Sequence, residues 1–248
     1  MQVMYERCAG LDVHKKTVVA CVLTPEGQET RTFGTMTAEL LSRADWRLTC
    51  GCTPVAIGST GDDWKPVFNI LEGTFEVLLV NAQHVKAVPG RKTDVNDAAW
   101  LAELLPHGLW RASFIPPVAQ RELRDLTRYR GPFIQERVTL INRVQKLLED
   151  ANIKLAAVAS DIMGVSGRAI LAALITGRAD PATMAELAKG RMRTKIPLLE
   201  QALTGLMRDH YRRLLALQLA HVDFLDEQLA ALSAEITRTL AKLTPSDP

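Results

Sequence analysis

The sequence predicts a chain in two parts, α/β followed by all-α: a mixed sheet with flanking helices, then a region of long helices. Three observations carry this. Short β-rich runs alternate with helix-like runs through the first hundred residues. No convincing strand follows Pro116-Pro117. Beyond that dipeptide, apolar residues recur at three-to-four-residue spacings over long stretches, the mark of helices with an interaction seam. The expected parts are residues 1–115 and 116–248, with the boundary near 112–118.

The elements of the first part follow in order. Cys8–His14 and Thr17–Leu23 are short and β-rich. The second is apolar on both faces (Val18, Val19, Ala20, Cys21, Val22, Leu23), as in a strand covered on both sides. Pro25-Glu26-Gly27 is a turn, and Glu29–Phe33 a third strand, which makes an antiparallel meander. Thr37 is a candidate N-cap for a helix over Ala38–Leu48. Pro54–Ile57 reads as a strand, Asp62–Leu71 as a helix and Phe75–Val80 as a strand. Thr93 is placed to cap a helix from Asp94 to about Leu105. The order β-β-β-α-β-α-β-α implies a mixed sheet with helices on its faces.

In the second part, Gln120–Asn152 has a long helical pattern that Gly131-Pro132 is expected to kink or break. Shorter helices are expected over Ser166–Ile175 and Pro181–Lys189. A second long helix runs from about Leu206 to Leu243, with Leu214, Leu217, Leu225, Leu229 and Leu232 as its seam. The ending Thr244-Pro245-Ser246-Asp247-Pro248 reads as a linker cut between domains.

Composition narrows the class. Hydrophobic residues are 47% and charged residues 23%, enough apolar side chain for a real core in an ordinary globular chain. A formal net charge of +2 says little about nucleic acid, since clustering matters more. No apolar run is long enough for a membrane span, and the N-terminus lacks a signal-peptide layout, so a cytoplasmic protein is expected. The four cysteines complete no zinc site and read as reduced thiols.

The acids are more specific. Asp12 lies inside the first strand, in Gly10-Leu11-Asp12-Val13-His14-Lys15-Lys16, where aspartate is depleted and a buried carboxylate needs a partner. Asp94 and Asp97 stand three apart in a helix start, so both carboxylates share one face at the positive end of the dipole. Alone, the first reads equally as a strand-end residue facing water, and the pair as helix capping. Together, after a three-stranded meander, they are the layout of an RNase H-like nuclease that holds Mg²⁺ on hard oxygen ligands.

Longer motifs extend the likeness: Ser59-Thr60-Gly61 with Trp64-Lys65-Pro66-Val67, Asn81-Ala82-Gln83-His84-Val85-Lys86, and Pro89-Gly90-Arg91-Lys92-Thr93-Asp94. Trp100-Leu101-Ala102, His107-Gly108-Leu109, Arg121-Glu122-Leu123-Arg124 and Ala151-Asn152-Ile153-Lys154-Leu155 continue it. On these residues the chain resembles the N-terminal domain of DEDD-type insertion-sequence transposases, related to the Piv invertase and to RuvC-type resolvases. The resemblance implies an RNase H-like (RuvC-like) fold, site-specific DNA recombination and transposition of an insertion element, a Mg²⁺ cofactor, a structured guide RNA, and a later domain carrying a serine nucleophile. It assigns Asp12, Asp94 and Asp97 as catalytic and metal-binding. The family's second acid directly precedes Ser59, where this chain has Gly58. An impaired or inactive chain is therefore expected, and the alternative function is a nucleic-acid-binding, dimerising remnant. Asp62 and Asp63 also depart from the family pattern, and either is a candidate substitute ligand.

Cations flank these motifs. Lys15, Lys16, Lys86, Arg91 and Lys92 lie beside the acids, and Arg121, Arg124 and Arg128 share one helical face. All eight are candidate phosphate contacts, read equally as charge balance or a solvated face. His14 shares the strand face of Asp12. The expected partners are DNA, guide RNA and further copies of the chain through the long helices, with no membrane, in a nucleoid-associated protein. An actin-like ATPase also opens with a strand aspartate but needs Gly-rich phosphate loops, and no convincing one is present.

Overall fold

The computed structural model of the chain describes residues 4–59, 61–81, 97–108 and 112–243. It divides into two compact units, residues 1–115 and 116–248. No helix among the described residues is long and apolar enough to cross a membrane.

The first unit is built on a five-stranded mixed sheet. β1 (Cys8–Val13), β2 (Thr17–Thr24) and β3 (Gly27–Gly34) form the antiparallel meander, closed by the two-residue Pro25-Glu26 hairpin. β4 (Pro54–Ser59) and β5 (Glu76–Asn81) add in parallel on the other side of β1, giving the order β3-β2-β1-β4-β5. α1 (Thr37–Thr49) and α2 (Trp64–Leu71) lead into and out of β4. α3 (Asp97–Leu104) ends in a 3-10 turn, Leu105–His107.

Strand alternation sorts the core into two layers. Ala9, Leu11, Val13, Val18, Ala20, Val22, Val55 and Ile57 pack with Leu40, Val67, Phe68 and Leu71 of α1 and α2. The opposite face is made of small residues and carries α3. Cys21 packs on Ala98, Ala99 and Ala102, while Cys8, Ala56 and Val80 pack on Leu101. A Cβ on Gly10 would lie 2.1 Å from the Ala98 carbonyl oxygen, so only glycine lets the helix approach so closely.

Two charged residues interrupt the apolar layer under α1. Arg43 and Arg47 are fully buried, and none of their guanidinium nitrogens has a hydrogen-bond partner among the described residues. Arg47 stacks on the Phe75 ring at 4.5 Å. Burial lowers Arg43 from the usual guanidinium range to about 10; burial, then the neighbouring Arg43 charge, lowers Arg47 to about 9.

The second unit is helical: α4 (Val118–Asp150), α5 (Leu155–Val158), α6 (Val165–Thr176), α7 (Pro181–Ala185), a 3-10 segment Gly190–Lys195, α8 (Ile196–Leu203) and α9 (Asp209–Leu243). The long α4 and α9 run antiparallel. Arg130 bonds Ser233, Arg137 pairs with Asp226, and Tyr211 reaches the Asp150 carbonyl. The main core gathers around Leu148, Leu155, Ile170, Leu171, Leu199 and Leu215.

Several sequence expectations change here. Gly131-Pro132 does not interrupt the helix, and α4 continues through it. One missing backbone bond and the ring clash cost about 3 kcal/mol. Each fully buried leucine or valine returns about 1.5–3 kcal/mol, and Leu140, Val144 and Leu148 are all buried along α4. Proline loses that comparison. The seam of α9 is offset in its first half: Leu215, Leu219 and Val222 are buried, whereas Leu214 and Leu217 are 44% and 68% exposed; Leu225 is buried as expected, and Leu229 and Leu232 are half-buried. α9 starts at Asp209 rather than near Leu206. Thr37 is inside α1; Met36 holds the N-cap position without a side-chain bond.

Candidate carboxylate site

Asp12 occupies the penultimate position of β1. Its neighbours across the sheet are Val19 of β2 and Gly58 of β4. Residues in direct register on adjacent strands point to the same face, so Asp12 and Gly58 both address the α3 side. The small-residue packing fixes where along α3 that is. The Cys8 thiol contacts the Ala102 carbonyl, and Gly10 faces Ala98 through Ala102. Asp12, the next residue of that face, therefore lies toward the N-terminal end of α3, whose first residue is Asp97.

The Asp12 side chain is 22% exposed, and its Oδ2 is 3.0 Å from His14 Nε2. His14 is mostly exposed just beyond the strand. It thus touches Asp12, as its shared face implied. Asp97 is exposed. Asp94, Lys86, Arg91 and Lys92 lie outside the described residues. Among the described residues no group of three or more histidine, cysteine or acidic side chains is arranged to hold a metal ion.

The donor chemistry suits a hard divalent cation in part. Asp12 supplies carboxylate oxygens on a half-shielded strand end, and Asp97 supplies another at the adjoining helix start. Gly58 supplies none. A Cβ built there would meet the Leu101 Cδ1 atom at 3.1 Å, a flexible side-chain tip that must yield by a few tenths of an ångström. A side chain at position 58 is therefore sterically admissible and would stand beside Asp12. Asp62 is paired with Lys65 at 2.8 Å and is 85% exposed; Asp63 sits at the N-cap of α2 without a capping bond.

Lys15 and Lys16 are exposed in the β1–β2 turn, directly after Asp12 and His14. Arg124 and Arg128 are exposed on α4, while Arg121 turns its guanidinium to the Pro116 carbonyl at 2.9 Å. The stripe expected on one face is thus two free-standing cations and one tied locally. Sequence reasoning passed over another basic run, Lys189, Arg191, Arg193 and Lys195. Its signal was present as alternating cations between two short helices.

A mixed sheet that opens with a three-stranded meander, carries a strand aspartate at its centre and is followed by helices defines an RNase H-like α/β domain. A family model for the DEDD transposases of the IS110 group, described as a transposase, matches residues 9–153. That is more than half of the 248 residues, and the chain belongs to this family. No curated protein matches the chain. Membership makes it a transposase-family, DNA-binding domain in a family that works with a divalent metal.

Proposed function

We propose that this chain is the N-terminal part of a transposase for site-specific recombination of an insertion element, with Asp12, Asp94 and Asp97 as carboxylate ligands for Mg²⁺. The carrying observation is the register of Asp12 beside Gly58, on the face covered by α3 and toward Asp97. When bound, the ion supplies charge neutralisation at a phosphodiester. Asp12 and Asp97 contribute hard oxygen donors, His14 orients the Asp12 carboxylate, and Lys15 and Lys16 offer cations to the backbone beside it.

Gly58 favours a second reading within the same proposal: a chain that binds nucleic acid and self-associates, with catalysis impaired by the missing ligand. DNA, a structured guide RNA and further copies through α4 and α9 are the proposed partners. The phosphate contacts are Lys15, Lys16, Lys86, Arg91, Lys92, Arg121, Arg124 and Arg128, and the site of action is the bacterial nucleoid.

Calorimetric titration of the full chain with MgCl₂ tests the metal reading. Asp12→Ala should abolish the binding heat, and Gly58→Glu should tighten it by about tenfold, the usual scale of a supporting ligand. Equal titrations for the parent and Asp12→Ala would remove Asp12 from the site. Metal-dependent cleavage of a labelled DNA substrate by Gly58→Glu, set against little by the parent, separates the impaired from the active reading.

A further inference from the structure

We propose that a cleft in the helical unit, between the first turn of α6 and the 3-10 segment Gly190–Lys195, binds a nucleic-acid phosphodiester. This rests on the reading that the chain acts on nucleic acid. It adds a contact separate from the carboxylate site and from the eight phosphate contacts proposed above.

The cleft encloses about 460 Å³, within the range of small-ligand sites. Its lining is cationic: Lys189, Arg191 and Lys195 against a single acid, Asp161. The Asp161 carboxylate is engaged by the Met163 amide at 2.9 Å. Lys189 and Arg191 are exposed, and no described acid pairs with either. Lys195 gives one of its three donors to the Val158 carbonyl and keeps two. Arg193 turns toward Glu186 instead, at 3.9 Å.

The backbone of the cleft is set for an anion. α6 has twelve residues, begins after Gly164 without a side-chain cap, and has no acid in its first turn. Its leading N–H groups and dipole therefore favour negative charge. Ser166 supplies the independent observation. It is 8% exposed and lines the cleft. Its Oγ accepts from the Lys189 N–H at 2.9 Å, which ties the two walls together. That leaves the buried hydroxyl proton as a donor with no acceptor among the described residues. A phosphate oxygen is an acceptor of the right charge. Gly190, at φ +57°, leaves open space on the other wall, where a Cβ would meet nothing within 4 Å.

The full chain is titrated with a fluorescent DNA duplex and, separately, a fluorescent RNA hairpin, each across a salt series. Lys189→Ala/Arg191→Ala should weaken binding of at least one about tenfold at moderate salt. It should also flatten the log–log salt slope by nearly two, close to one per lost phosphate contact. Arg193→Ala should leave both values unchanged. The responding nucleic acid identifies the source of the phosphate. A double variant that binds both probes with the parent's affinity and slope overturns the cleft and leaves the broader nucleic-acid reading intact. A parent that binds neither probe overturns both. Amide shifts at Val165, Ser166 and Gly167 on adding inorganic phosphate, absent with chloride at equal ionic strength, locate the contact. Shifts confined to other residues overturn it.

Discussion

Arg43 and Arg47 are the least economical residues of the first unit. Among the described residues, both guanidinium groups lie in the apolar layer without a hydrogen-bond acceptor, and the Phe75 ring offers Arg47 a favourable contact. An uncompensated buried charge costs several kcal/mol, and well-packed apolar replacements of similar volume often stabilise. Arg43→Met/Arg47→Met should therefore raise stability by roughly 1–4 kcal/mol, measured by urea unfolding. The sign with pH follows from the folded-state values, lowered to about 10 and about 9 from the higher value of an exposed guanidinium. Between those limits the unfolded chain binds more protons, so the penalty shrinks as pH rises. The double variant's advantage should be full below pH 9 and narrow above it. An advantage that grows with pH would contradict the burial of these cations.

At the scale of elements, α3 and α4 show backbone geometry and packing deciding against simple propensity. α3 sits on β1 because Gly10 presents no side chain to Ala98 and Ala102. Gly10→Ala places a carbon against backbone, which cannot move cheaply. A loss of about 1–3 kcal/mol is expected from such overpacking, visible as a lower thermal midpoint. α4 carries Pro132 on an exposed position inside the helix. Pro132→Ala restores one N–H and removes the ring, so a gain of up to about 3 kcal/mol is expected. An unchanged midpoint would mean that the helix has already relaxed around the ring. These elements were unevenly legible. The meander, the hairpin at Pro25-Glu26 and the two-sided burial of β2 followed from alternation and turn residues. The continuity of α4 did not, because a proline's local cost is visible in sequence and the tertiary burial that outweighs it is not. The phase of α9 did not either. Leucines occur on more than one helical stripe, and only the antiparallel contact with α4 selects Leu215, Leu219 and Val222 over Leu214 and Leu217.

At the scale of the molecule, the two units have separate cores, one between the sheet and its helices and one among the helices around Leu148, Ile170 and Leu199. A core of that extent should sustain the helical unit alone. A fragment of residues 116–248 is expected to retain its helical circular dichroism and melt in one cooperative transition. A non-cooperative melt would show that it depends on the first unit. For the candidate site, the sequence by itself determined which residue types are available: Asp12, Asp94 and Asp97 as acids, Gly58 where the family carries glutamate, and cations around them. It also determined family membership, because motifs are local and read one after another. Only the tertiary structure decided that Asp12 and Gly58 are neighbours across parallel strands, and that Asp12 lies toward the start of α3. Strand register and helix docking depend on contacts between residues far apart in the chain. For the same reason, the burial of Arg43 and Arg47 and the meeting of Ser166 with Lys189 were decided by the fold, since no local pattern specifies what a side chain will face.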